Sequence, residues 1–216
     1  MRILIVIPAY NEQENIERVV DDLIQNYPQY DYLVVNDGSK DRTAAICREK
    51  GYHFLDLPVN LGLAGAFQAG MRYADRMDYD MAIQFDGDGQ HDPQYIEAMA
   101  AKMEEEALDV VIGSRFRDKK KPLSLRMMGN QMIQLAIQIT TGVSIKDPTS
   151  GMRMFNRSMI REFAHNLNYG PEPDTIAYLL RNGASVQEVQ VEMKERIAGE
   201  SYFNLKRAVE YMVRMC

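Results

Sequence analysis

Met81-Ala82-Ile83-Gln84-Phe85-Asp86-Gly87-Asp88-Gly89-Gln90-His91-Asp92-Pro93 joins an apolar run of strand length to a turn that carries two carboxylates. Residues two apart on an extended chain point to the same side. Asp86 and Asp88 can therefore converge on one hard divalent cation, and the intervening and following glycines let backbone and ligand approach closely. Taken alone, an Asp-x-Asp is more often an acidic turn that ends a strand, so the surrounding chain has to decide between the two.

Working outward, residues 3–7 form a continuous apolar run, broken by Pro8-Ala9-Tyr10-Asn11 before a helix whose Ile16, Val19, Val20 and Leu23 keep helical spacing. Residues 32–35 read as a second strand ending in Asn36-Asp37-Gly38-Ser39, and a second helix follows with Ser39 or Asp41 as its capping candidate. A short strand at 54–57 leads through Asn60-Leu61-Gly62 into a helix carrying Leu63, Phe67, Met71 and Ala74 on one stripe. Strands that are apolar throughout and alternate with helices predict an α/β fold: a mostly parallel central sheet with helices on both faces. Ligands in such sheets bind beyond the carboxyl ends of the strands. The turns at 8–12, 36–39 and 86–88 are therefore expected to form one crevice.

The second half predicts a strand at 109–113, a Met- and Ile-rich helix at 125–141, a short strand at 152–155, helices near 158–165 and 174–182, and a returning strand within 184–191. A last helix carries Leu205, Ala208, Val209 and Met212 on one face. The chain of 216 residues, 46% of them hydrophobic, is long enough for one substantial core, and one domain spanning 1–216 is expected, with halves at about 1–116 and 117–216. No apolar run reaches the ~18 residues of a membrane span, residues 1–8 are too short for a signal peptide, and the two cysteines have no metal or disulfide spacing. A cytoplasmic protein is the expectation. A net charge of -6 argues against a general nucleic-acid binder.

Several residues admit two readings each. His91 ligates the metal or hydrogen-bonds its own loop. Glu172 and Asp174 open a helix, where the dipole alone favours a carboxylate, or they act as a base or at an acceptor site, and Asp147 shares that ambiguity. Arg115 and Arg153 are packed loop arginines or phosphate ligands. Lys119-Lys120-Lys121 beside the apolar helix are solvated, or they meet an anionic membrane surface.

In order along the chain, Ile7-Pro8-Ala9-Tyr10-Asn11-Glu12, Val35-Asn36-Asp37-Gly38-Ser39-Lys40-Asp41-Arg42-Thr43, Asn60-Leu61-Gly62, the stretch from Phe85 to Pro93, Gly113-Ser114-Arg115 and Thr149-Ser150-Gly151-Met152-Arg153 resemble family-two glycosyltransferases, in the branch of the dolichyl-phosphate mannose and undecaprenyl-phosphate glucose synthases. The resemblance implies a GT-A fold and inverting, Mg²⁺- or Mn²⁺-dependent transfer of a sugar from a UDP- or GDP-linked donor to a polyprenyl phosphate. By position it assigns Pro8, Tyr10, Glu12, Asp37 and Gly62 to the nucleotide, Asp88 to the metal, and Asp86 to the metal or the ribose. Arg115, Arg153, Arg196 and Ser201 fall on the acceptor and phosphate side. Peripheral contact with the cytoplasmic membrane face is expected from Lys119, Lys120 and Lys121 beside the apolar helix at 125–141, and a homo-oligomer stays open. Two departures stand out: Asn36 where an Asp is common, and no membrane helices at the end of the chain.

A glycosyltransferase acting on a glycan hydroxyl, and a nucleotide-binding module without catalysis, are the competing readings. A nucleotidyltransferase or a dinucleotide dehydrogenase would show a Gly-rich loop after the first strand, and Pro8-Ala9-Tyr10-Asn11 is not one.

Overall fold

The computed structural model describes residues 1–119, 121–122, 124–166, 169–194 and 211. The expected last helix, Lys120, Arg196 and Ser201 lie outside the described residues. Seven strands, β1 (Ile3–Ala9), β2 (Asp31–Asn36), β3 (Phe54–Asp56), β4 (Met81–Gln84), β5 (Val110–Ser114), β6 (Arg153–Asn156) and β7 (Val186–Gln190), form one sheet in the order β3-β2-β1-β4-β6-β5-β7. All pairs are parallel except those of β6, which runs antiparallel to β4 and β5 on either side. The helices are α1 (Ile16–Asn26), α2 (Thr43–Lys50), α3 (Gly62–Arg76), α4 (Ile96–Glu105), α5 (Leu125–Thr141), α6 (Arg157–His165) and α7 (Pro173–Arg181).

The continuous apolar runs are explained by burial on both faces of the sheet. On one face Leu4 and Val6 of β1 pack with Phe67 of α3, Ile133 of α5, Phe163 of α6 and Ile176 of α7. On the other, Ile3, Ile5 and Ile7 pack with Val20 of α1, Cys47 of α2 and Met99 of α4. Successive residues of one strand thus feed opposite cores. The architecture is the expected α/β one with a mostly parallel sheet. The capping of α2 differs in detail. Arg42 occupies the cap position, and Asp41, one residue earlier, accepts from the Thr43 N–H at 2.9 Å, while Ser39 accepts from the Asn11 N–H at 3.0 Å.

Gly70 brings α3 onto β1, because a Cβ there would collide with Val6 Cγ1. Val6 is fully buried in a central strand and cannot move aside. Gly70→Ala is expected to cost about 1–3 kcal/mol in urea denaturation. Unchanged stability would mean that the α3–β1 contact spreads without penalty.

Candidate active site

The ends of β1, β2 and β4 meet where expected, around a cavity of about 620 Å³ whose lining includes Pro8, Tyr10, Glu12, Asp37, Asp86 and Asp88. β6, running the other way, delivers Ser150, Gly151 and Arg153 to the same cavity at its start.

The turn after β4 is tied down from several directions. The Asp86 N–H donates to His91 Nδ1 at 3.0 Å, and Gln84 Nε2 donates to Asp86 Oδ1 at 3.3 Å. Asp88 Oδ1 accepts from the Gln90 N–H at 3.0 Å. Outside the cavity, Arg18 of α1 donates to the Asp88 carbonyl at 3.3 Å, and its guanidinium lies where a Cβ on Gly89 would stand, 2.6 Å from Nη2. With φ at +76°, Gly89 sits in the left-handed region that only glycine enters cheaply. Arg18 escapes sequence reading because it looks like any exposed helix charge.

His91 holds its own loop and also lines the cavity. Its Nδ1 lies 3.0 Å from the Asp86 N–H, which donates to it, and its Nε2 lies 3.5 Å from Asp86 Oδ2. The ring is buried, edge-on to Phe85 at 5.3 Å. Among the described residues no group of three or more His, Cys, Asp or Glu side chains could hold a metal ion by itself. Two carboxylates at the mouth of a cavity do suit Mg²⁺ or Mn²⁺ that arrives with a diphosphate, since such ions take one or two carboxylates and complete their shell with phosphate oxygens and water. Opposite them Gly151 keeps the space open: a Cβ there would lie 2.8 Å from Asp86 Oδ2.

On the β1–β2 side, Asp37 is 3% exposed and holds the loop that leads into α3: its Oδ1 accepts from the Leu61 N–H at 2.7 Å and its carbonyl from Asn60 Nδ2 at 3.1 Å. Asn60 Oδ1 in turn accepts from Gly62. The first turn of α3, through Gly62, Leu63 and Ala66, faces the cavity, presenting the positive end of a helix. The Glu12 N–H donates to Thr43 Oγ1, and its Oε2 accepts from Asn15. Asn36 points elsewhere, donating to Asp56 at 2.6 Å, and is absent from the cavity wall.

The acceptor-side expectations divide. Arg115 lines the cavity with its guanidinium bound to Asp147, Nε to Oδ2 at 2.7 Å and Nη2 to Oδ1 at 2.8 Å. Asp147 is fully buried and also accepts from the Arg115 N–H, Asn130 Nδ2 and Thr149 Oγ1. Burial alone would raise its carboxyl pKa, but the Arg115 hydrogen bonds and charge outweigh burial and hold it below the ordinary range. A carboxylate so enclosed and saturated has no access to a substrate, and the catalytic role expected of Asp147 becomes a positioning role. Arg153 is buried and donates to three carbonyls, those of Ser150, Glu172 and Pro148. Burial pushes its guanidinium down to about 10, so it remains charged at neutral pH. Glu172 lines the cavity and accepts from the Tyr211 hydroxyl at 3.2 Å, whereas Asp174 lies in the first turn of α7 off the cavity wall. The expected basic cluster is only partly solvated: Lys119 bridges to Glu192, and Lys121 docks on Asn130 and Gln134 of α5.

Residues 4–163 match glycosyl transferase family 2. The chain belongs to that family. This glycosyltransferase is 30% identical to the undecaprenyl-phosphate mannosyltransferase of Micrococcus luteus over 93% of its own length and 87% of the relative's. It is 28% identical to the polyprenol monophosphomannose synthase of Mycolicibacterium smegmatis over 99% and 85%. Glucosyl-3-phosphoglycerate synthase from Mycobacterium tuberculosis, solved with Mn²⁺, UDP and glucosyl-3-phosphoglycerate, superimposes with a TM-score of 0.70 at 17% identity, covering 99% of this chain and 77% of that one. The fold is GT-A.

The buried pair supplies a stability test on this glycosyltransferase. Asp147→Ala leaves Arg115 charged and unpaired and is expected to cost about 3–5 kcal/mol near neutral pH. The folded-state pKa of Asp147 is depressed, so its contribution is present above the unfolded carboxylate pKa and lost as pH falls through the lower folded value. The gap between wild type and variant in denaturant titrations should therefore close in acid. A gap independent of pH would remove the ion pair as its cause.

Proposed function

We propose that this glycosyltransferase moves a sugar from a UDP- or GDP-linked donor to a polyprenyl phosphate, with inversion and with a divalent metal. The observation that carries the reading is the meeting, in one cavity, of a strand-end pair of carboxylates with Arg115 and Arg153. The named acceptors of the relatives point the same way. Asp86 and Asp88 would hold Mg²⁺ or Mn²⁺ with the donor's diphosphate, and the bound cation would neutralise charge on the departing phosphate. Pro8, Tyr10, Glu12, Asp37 and Gly62 seat the nucleoside end. Arg115 and Arg153 supply positive potential on the acceptor side. Arg196 and Ser201, outside the described residues, remain assigned to the acceptor phosphate by resemblance alone. A phosphate acceptor is already an anion, so attack requires positioning more than proton abstraction, and a single displacement inverts the anomeric centre.

Asp88→Asn or EDTA is expected to lower transfer to a short-chain polyprenyl phosphate in detergent by roughly a hundredfold or more. Full turnover in EDTA would overturn the metal-dependent mechanism. A glycan hydroxyl acceptor is favoured by one feature, the Glu172 carboxylate on the cavity wall, which is placed to act as a base. If the acceptor is a phosphate, Glu172→Gln should keep its rate within a few-fold; a loss of roughly a hundredfold or more would favour the hydroxyl.

A lipid acceptor requires approach to a membrane, and α5 offers a surface for it. Met128, Met132, Leu135 and Ile139 are all exposed along the helix, with Val143 beyond its end. The helix carries no acidic side chain, and no helix among the described residues is long and apolar enough to cross a membrane. With Lys119 and Lys121 engaged by the protein, the apolar stripe carries the docking and salt modulates it weakly. Changing Leu135 and Ile139 together to Glu should abolish flotation with anionic liposomes while leaving the melting temperature unchanged. Retained flotation would exclude α5 as the docking face.

A further inference from the structure

Gln84 is the last residue of β4 and one of the few polar side chains inside the sheet. It is 1% exposed, and it lines the cavity. Its Nε2 donates to Asp86 Oδ1, but its Oε1 has no hydrogen-bond partner. Turning the amide round would set two acceptor oxygens against each other at the Asp86 contact, so the carboxylate fixes Oε1 as the orphan. A buried acceptor left unpaired costs its desolvation, and native structures satisfy such atoms with a protein group, a water or a ligand. Asn36 Oδ1 is the other orphan of this kind among the described residues, but Asn36 does not reach the cavity.

The position of Gln84 narrows the ligand. In the sheet it is paired with Val6 of β1 on one side and Arg153 of β6 on the other, whereas Asp37 follows β2, two strands away from β4. A donor with its nucleoside at Asp37 and its diphosphate at Asp86 and Asp88 reaches β4 and β6 with its sugar. Phosphate oxygens at neutral pH have no proton to give, so Oε1 selects a hydroxyl or an amide N–H. We infer that Gln84 is a specificity-determining residue for the transferred group: its Oε1 accepts a hydrogen bond from one hydroxyl or N–H of the donor sugar while its Nε2 orients Asp86. The inference rests on the nucleotide-sugar reading of the cavity.

Calorimetric titration in Mn²⁺ separates the possibilities, with UDP, UDP-glucose, GDP, GDP-mannose and derivatives of the two nucleotide sugars deoxygenated at single positions. Gln84→Met keeps the side-chain volume and removes both polar atoms. It is expected to reduce the affinity gained by adding the sugar to the nucleoside diphosphate by about tenfold. One deoxy donor should bind wild type about tenfold more weakly yet lose nothing further in Gln84→Met, which localises the partner hydroxyl. The variant should melt at or above the wild-type temperature, because an orphan acceptor has gone; a structural role would lower it. Equal losses for nucleoside diphosphate and nucleotide sugar, or additive losses at every deoxygenated position, would overturn the inference while leaving the donor reading intact. Wild type that binds no nucleoside diphosphate or nucleotide sugar would overturn both. The deoxy series on wild type alone keeps the test decisive if Gln84→Met does not fold: equal affinities throughout the series would also overturn the inference.

Discussion

One buried carboxylate organises the acceptor half of the molecule. Asp147 has no exposed surface, and a charge in that position persists only if donors surround it. The donors come from distant parts of the chain: Arg115 after β5, Asn130 of α5 and Thr149 before β6. Its own N–H completes the arrangement by donating to Glu188 of β7 at 2.8 Å. Two strand ends, a helix and a loop are thereby fixed relative to one another, and with them the guanidinium of Arg115 at the cavity wall. The apolar cores hold the layers together, whereas this polar core decides their register at the site.

The two arginines at the cavity differ in how their charge is balanced. Arg115 is neutralised by a carboxylate at salt-bridge distance, so its field on an incoming anion is reduced. Arg153 donates to three carbonyls, and the carboxylates of Asp174, Asp147 and Glu172 lie close enough to act on its charge. Arg153 is too deeply buried to move toward a ligand.

Much of the architecture was legible because burial on both faces forces uninterrupted apolar strands, and residues 3–7 show this plainly. The direction of β6 was not: a four-residue strand has the same composition whichever way it runs, and only its pairing with β4 and β5 reveals it. The carboxylates at 86 and 88 could be placed because strand ends in such sheets converge. The part played by Asp147 could not, since its partner Arg115 lies 32 positions away and nothing local marks the pairing. His91 left two roles open, and its bond to a backbone N–H five residues earlier in the chain has no local sequence mark. Gln84 passed as part of an apolar run, and only its unpaired oxygen sets it apart.

The antiparallel β6 also constrains how the chain reaches this structure. A helical crossover from β4 through α4 would ordinarily set β5 directly beside β4 as a parallel neighbour. Here that place belongs to β6, which emerges some forty residues after β5. During synthesis the strands β1 to β4 can assemble with local crossovers, but β4 keeps an open edge and β5 has no partner until residues 153–156 have been made. Long-range closure of this kind is slow. The strand that ends in the Asp86 turn is thus completed by a segment synthesised long after it.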